Sequence, residues 1–440
     1  MKPIPLLAAV SVLLTTPLAA QPGIGREVER IAKARTFWPN FDPLAIPLAT
    51  YDGKSTWLFR HPHPPPDFEG SPISSIRADI HEGRHPAVTA NSSAEIGGVM
   101  TATLLVEGRP PRRTPQELAA TAIHESFHVF QRQHHPHWQA NEGDLLLYPV
   151  DDANLLALRR LESEALRLAL ATKAPARAAC LGRLTMDYRT QRFKAMDSAF
   201  VAYERGTELN EGLATYVQLL ALGRTTVDIP REEFAAQDVR LRSYTIGPAI
   251  AFLLDRIRPR WQYSLEAHDR QKLEEVLAGS LVGAVESPNG GCALPPAQVA
   301  AIKRTAKRDA ANVATQRASR RKAFDARTGW RVTITAAEGQ PLWPQGFDPL
   351  NVERVNGGLL HTRFLTVGND SCKATAIDEG GVDIEVFTEG FGPHPLFNGV
   401  RRVVITGLEK PVVTATDYRV TIATSGLQLD CPRASVTVAP

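Results

Sequence analysis

The sequence predicts an α+β protein, and three observations carry that prediction. Residues 21–113 hold short β-like runs among many prolines, helical periodicity takes over at residue 114, and β alternation returns from Trp330 to the end. The expected division is 1–20 as an export signal, 21–113 as the N-terminal β-rich part of the core, 114–328 as a helical lobe and 329–440 as an all-β, sandwich-like domain.

Lys2 followed by the apolar run Leu6–Leu14 and the small-residue exit Pro17–Ala20 reads as a secretory signal cleaved after Ala20. The run is too short to span a bilayer. No later segment is long and apolar enough to do so, and the expected place is the periplasm or the cell exterior with no stable membrane insertion. A formal net charge of only +3 over 440 residues gives no reason to expect a nucleic-acid partner. Cys180 and Cys292 fall in the helical part and Cys372 and Cys431 in the β part. Pairing within each part is the simplest of three connectivities and suits an oxidising compartment.

In the N-terminal part, Ser55–Phe59 and Val99–Val106 read as strands. An upstream sheet over roughly 40–112 is expected to pack on the first helix of the lobe. That helix is announced by Thr114-Pro115-Gln116-Glu117, where Thr114 caps, Pro115 takes the first helical position and Glu117 closes a capping box. Ile123, Phe127 and Phe130 form its apolar stripe. His124 and His128, four apart, project from one face and suit a single Zn²⁺, while Glu125 can reach a water there as general base. The alternative is a core helix with two satisfied histidines.

The same string occurs earlier, at His81-Glu82-Gly83-Arg84-His85. Gly83 within it and Pro86 after it predict a loop without helical geometry. For a third ligand, a second helix carries Glu204, Glu208, Glu211 and Thr215 along one stripe. Gly212 is costly inside a helix; close approach of the HExxH helix would explain it. Glu211 and Glu208 are both candidates, and Glu208 or Glu164 could instead partner a histidine.

The segment Glu208-Leu209-Asn210-Glu211-Gly212-Leu213-Ala214-Thr215-Tyr216 resembles the Asn-Glu-Gly segment of gluzincin zinc metallopeptidases, especially the aminopeptidase-N and leukotriene-hydrolase-like family. Tyr244-Thr245-Ile246-Gly247 resembles that family's YxKG segment. The resemblance covers three short segments between residues 120 and 255. It implies a zincin-like core, Glu211 as the third zinc ligand beside His124 and His128, and Tyr244 as a transition-state donor. It also implies hydrolysis of peptide or protein substrates.

The chain departs from the pattern in three places. The stretch from His128 to Glu211 is several times longer than the family's and reads as two helices, about 151–173 and 177–207, that could form a lid or wall. Ile246 replaces the lysine of YxKG. The segment nearest to the family's amine-binding strand, Gly97-Gly98-Val99-Met100-Thr101, lacks its glutamate, and Glu95 lies on the wrong side of the glycines, though the strand could still pair with an extended substrate.

Other groups read more plainly. His134, His135 and His137 are expected in a solvated loop, and His61 and His63 in a proline-rich run. Lys303, Arg304, Lys307, Arg308, Arg317, Arg320, Arg321 and Lys322 should form a solvated helix face. Ser126 lacks a Gly-x-Ser-x-Gly setting. Zinc hydrolysis of a non-peptide amide or ester, and a secreted binding protein on a zincin scaffold, are the competing functions.

Overall fold

The computed structural model describes residues 20–71, 77–106, 113–231, 234–282, 292–378 and 383–440. The expected signal, apart from Ala20, lies outside them. The described chain is α+β, with a helical middle and an all-β C-terminal region.

The N-terminal part opens with a helix that the β-like composition had concealed, α1 (Ala20–Ala34). Its Ile24, Val28 and Ile31 recur at helical spacing and are buried. Strands β1 (Leu48–Tyr51), β2 (Ser55–Phe59), β3 (Glu69–Gly70), β4 (Ala78–Glu82), β5 (Ser92–Ile96) and β6 (Val99–Leu105) form one sheet in the order β3-β4-β2-β1-β6-β5. β1 and β6 run parallel, and the other pairs antiparallel. Gly97 and Gly98 make the β5–β6 turn with φ of 53° and 76°, a conformation that side chains disfavour.

Helix α2 (Pro115–His134) lies against this sheet and α1. The Thr114 hydroxyl accepts from the Glu117 N–H at 3.2 Å, and the Thr114 N–H donates to Glu117 Oε2 at 2.7 Å. Phe127, fully buried, meets Trp38 edge-on at 5.5 Å and Phe41 at 5.1 Å between ring centres. These contacts fix which side of α2 faces the core, and so which side His124 and His128 present.

The lobe continues through α3 (Glu142–Leu145), α4 (Ala153–Ala171), α5 (Pro175–Lys194) and α6 (Ser198–Thr207). A π-helical turn (Glu208–Gly212) leads into α7 (Leu213–Ala221), followed by α8 (Val239–Ile257), α9 (Gln262–Ala267), α10 (Leu273–Ser280) and α11 (Pro296–Asp325). The chain expected as one helix over 177–207 breaks at residues 195–197 into α5 and α6. Helices α4 and α5 pack on each other and on α8.

Three arginines and three glutamates are buried together inside this lobe. Arg189 reaches Glu162 and Glu208 at 2.7 Å each. Arg192 donates to Glu162 at 2.7 Å and to Glu204, and Arg242 donates to Glu162 at 2.7 Å. Each carboxylate gains partners that offset the cost of removing it from water. Cys180 is bonded to Cys292 within the lobe, and Cys372 to Cys431 in the β region.

The β region comprises β7 (Trp330–Thr335), β8 (Trp343–Phe347), β9 (Val352–Val355), β10 (Gly358–His361), β11 (Phe364–Gly368) and β12 (Lys373–Ile377). It continues with β13 (Glu385–Gly390), β14 (Val400–Leu408), β15 (Val413–Ala415), β16 (Arg419–Thr424), β17 (Leu427–Pro432) and β18 (Val436–Ala439). Two six-stranded sheets result, β18-β7-β14-β13-β10-β9 and β15-β16-β17-β12-β11-β8. Val332, Ile334 and Val403 of the first share one core with Val367, Ala374 and Ile422 of the second.

The expected solvated face of α11 holds for its first half and for Lys322. Lys303, Arg304, Lys307 and Arg308 are exposed, but Arg320 pairs with Glu353 and Glu385, and Arg321 lies 3.8 Å from the Phe387 ring centre. Those side chains tie α11 to the β region.

Candidate metal centre

His124 and His128 leave α2 on its cleft side, with ring centres 4.7 Å apart and Nε2 atoms 3.1 Å apart. Glu211 Oε2, brought by the π-turn, lies 3.3 Å from His128 Nε2 and 3.9 Å from His124 Nε2. His124, Glu125 and His128 offer ligand atoms within 4.8 Å of one another. With Tyr244 and Arg240 from α8, all of these line one cleft of about 570 Å³.

The π-turn separates two carboxylates that α-helical spacing would place on one stripe. An i→i+5 turn takes more residues per revolution, so side chains three apart diverge further. Glu208 is drawn under the turn to Arg189, at 2.7 Å to both of its oxygens, while Glu211 faces the histidines. Glu204 joins the buried arginines as well, so the expected single stripe does not exist. Glu164 also lies elsewhere, bonded to Arg167 and Gln298.

The residue that does partner a histidine is Gln131, one turn beyond His128. Its Nε2 donates to the Leu209 and Asn210 carbonyls of the π-turn at 2.9 and 3.0 Å. Those bonds fix the amide orientation, so Gln131 Oε1 must accept from His128 Nδ1–H at 2.8 Å. The Nε2 of neutral His128 then turns a lone pair toward Glu211 and His124. One side chain thus holds the π-turn and sets the tautomer of a candidate ligand.

Gly212 has a different neighbour from the expected one. A Cβ there would lie 2.8 Å from the Cα of Gly247, and a Cβ on Gly247 would lie 2.5 Å from the Cα of Gly212. The two glycines let α8, rather than α2, cross against the π-turn. That crossing places Tyr244 and Arg240 over Glu211.

Electrostatics follow the packing. Burial drives the His124 imidazole down to about 3, and the neighbouring His128 adds to this. Burial lifts the Glu125 carboxyl to about 7. Burial would lower His128, but in its charged form Nε2–H also donates to Glu211, and that bond and that group's charge push it up. Burial would raise Glu211, yet the bond from His128 holds it at about 2. The Tyr244 phenol is pushed up to about 12 by burial and by the Glu211 charge.

These donors fit a zinc ion. Four ligands at about 2.0–2.1 Å in a tetrahedron lie roughly 3.3–3.4 Å apart, and the separations here are 3.1, 3.3 and 3.9 Å. Two imidazoles and a carboxylate also form a donor set suited to that ion.

Other expectations change. Among the described residues, nothing from 151–207 lines the cleft directly; α6 backs its wall, Gly206 lying so close to Gln139 and Ala140 that a Cβ there would lie 2.5 Å from the Gln139 carbonyl oxygen. Gln139, Ala140 and Glu142 form that wall instead. Strand β6 is paired by β5 over Val99–Thr103 and by β1 over Ala102–Leu105, so among the described residues its first three, Val99–Thr101, carry a β partner on the β5 side only. The outer strand is β5, at whose start Asn91 and Ser92 border the cleft.

His135 is buried, 2.9 Å from Glu266 and stacked on Trp138, whereas His137 is exposed. His61 is buried, with Nε2 2.9 Å from the Ile96 carbonyl. Ser126 Oγ donates to the Ala122 carbonyl at 2.8 Å and is buried. Comparison with protein-family models, curated proteins and solved structures finds no match to this chain.

Proposed function

We propose that this chain is an exported zinc-dependent peptidase built on a zincin-type core. The observation that carries the reading is the convergence of His124 Nε2, His128 Nε2 and Glu211 Oε2 within 3.1–3.9 Å beside Glu125. His124, His128 and Glu211 would hold the ion, which when bound lowers the pKa of a water and polarises a carbonyl.

The protein's own groups do the rest. Glu125, in the cleft beside the histidines, takes the proton of the attacking water and returns it to the departing amine. The Tyr244 hydroxyl, half-buried in the same cleft, donates to the substrate carbonyl oxygen as negative charge develops. Among the described residues β5 is the outer strand of its sheet, and its edge would take an extended peptide lying along the cleft.

Export is supported by the disulfides Cys180–Cys292 and Cys372–Cys431 together with the N-terminal signal pattern. No described helix is long and apolar enough to cross a membrane.

The test is digestion of a complex peptide mixture by the zinc-loaded protein, read by mass spectrometry with and without chelator. New peptide termini that need the metal and vanish in Glu125→Gln support the proposal. No cleavage under any metal condition, from a protein that does bind zinc, favours a binding protein on the same scaffold.

A further inference from the structure

The β region touches the cleft through the short helix α3. On the cleft side, Glu142 Oε1 accepts from Arg240 at 2.5 Å. The same guanidinium donates through its other terminal nitrogen to Glu211 Oε1 at 2.7 Å. Glu211 Oε2 remains directed at the histidines. Arg240 therefore holds the carboxylate by the oxygen that the ligand role does not use.

On the opposite side, α3 is held by the β region at several points. His394 Nδ1 accepts the N–H groups of Leu396 and Phe397 at 3.1 Å each. Its proton must then sit on Nε2, which donates to the Gly143 carbonyl at 3.1 Å. The Phe397 ring lies so close to Gly143 that a Cβ there would come within 2.7 Å of it. Leu146 packs against the β-region core, and Arg354 donates to the Leu147 carbonyl at 2.7 Å.

We propose that the C-terminal β region is a working part of the metal centre. It fixes α3, Glu142 of α3 fixes Arg240, and Arg240 sets the rotamer of Glu211. Glu142, Arg240 and His394 are positioning residues. The inference rests on the zinc reading above and adds to it a role for the β region and for a salt bridge that no motif announces.

The test uses the full chain and two probes, Zn²⁺ in competition with a chromogenic chelator and Co²⁺ by its visible absorption. Partners of metal ligands typically contribute about 10–100-fold in affinity. Arg240→Ala should lose about that much and alter the Co²⁺ spectrum, with Arg240→Lys recovering part of the loss.

His394→Ala should weaken binding by about 3–10-fold, a smaller share of the same effect because it acts at one remove. Combined with Glu142→Gln it should add little, because both act through one contact chain. Arg354→Gln, which removes one half-buried anchor of the chain just after α3, covers the case in which His394→Ala does not fold.

Wild-type affinity and spectrum in folded Arg240→Ala, or in His394→Ala and Arg354→Gln alike, would overturn the proposal while leaving the zinc reading intact. A wild-type chain that binds neither ion would remove both.

Discussion

The chain contains the same five-residue pattern twice, and the two copies have different fates. At 81–85 the rings do meet, 5.2 Å apart, even though His81 lies in strand β4 and Gly83, just past its end, turns the chain at φ 84°. Both then lean on one half-exposed carboxylate, Asp67 Oδ2, at 3.2 and 3.5 Å. His85 Nδ1 accepts from the Ala87 N–H, and His81 Nδ1 is 3.1 Å from the Asp67 carbonyl.

At 124–128 the backbone is helical and the residues are largely buried. Gln131 occupies His128 Nδ1, and the Nε2 atoms face a carboxylate from a second helix. Ring proximity alone does not separate the copies. What separates them is which nitrogens the surroundings leave free, and whether a buried carboxylate meets them.

The sharpest way to break this comparison is to exchange functional groups in both copies. Glu125→Gln should lower peptide hydrolysis by about 10²–10⁴-fold while metal content, measured by plasma mass spectrometry, stays at the wild-type level. Glu82→Gln should leave hydrolysis unchanged. Equal losses in both variants would mean that the first copy has been misjudged.

Next in size, Gln131→Leu removes the clamp that only the second copy has. Zinc affinity should fall by about 10–100-fold, while Asp67→Ala at the first copy should not change it. A smaller effect is expected where the helices cross. Gly247→Ala must push the π-turn away and should cost about 1–3 kcal/mol, visible as a lowered melting temperature.

The mildest effect concerns acid. Burial would raise the Glu162 carboxyl, but Arg189, Arg192 and Arg242 hold it far below the ordinary carboxylate value of 4.5. A folded-state pKa below the unfolded one gives stability that is complete above the unfolded value and lost as pH falls through the region below it. Urea midpoints should therefore drop progressively below about pH 5. Glu162→Gln, although destabilised at every pH by its stranded arginines, should lack this component of the acid dependence.

Local signals were the legible ones. Thr114 and Glu117 cap α2 by contacts three residues apart, and the strands Trp330–Thr335, Val400–Leu408 and Arg419–Thr424 follow runs of β-formers. His124, Glu125 and His128 were readable because they share one helix.

Helix α1 was missed although Ile24, Val28 and Ile31 recur at helical spacing, because Pro22, Gly23 and Gly25 at its start and the β-like runs downstream masked that short periodic stretch. The different destinations of Glu208 and Glu211 depend on a π-turn that propensity does not foretell. Gln131, three residues from His128, and Arg240, four before Tyr244, had helical spacings that could have drawn notice. Glu142 had no local signal, because only the packing of α3 between the lobe and the β region brings it to Arg240.

The charge-matched interior of the lobe has a consequence for how this sequence can vary. Glu162, Glu204 and Glu208 are matched one for one by Arg189, Arg192 and Arg242. Losing one member strands an ion in a dry interior, at a cost of about 3–5 kcal/mol, whereas replacing the whole set with well-packed apolar side chains need not destabilise at all. Single steps away from this arrangement are therefore steep, and viable descendants would be expected to keep all six or to change them as a block.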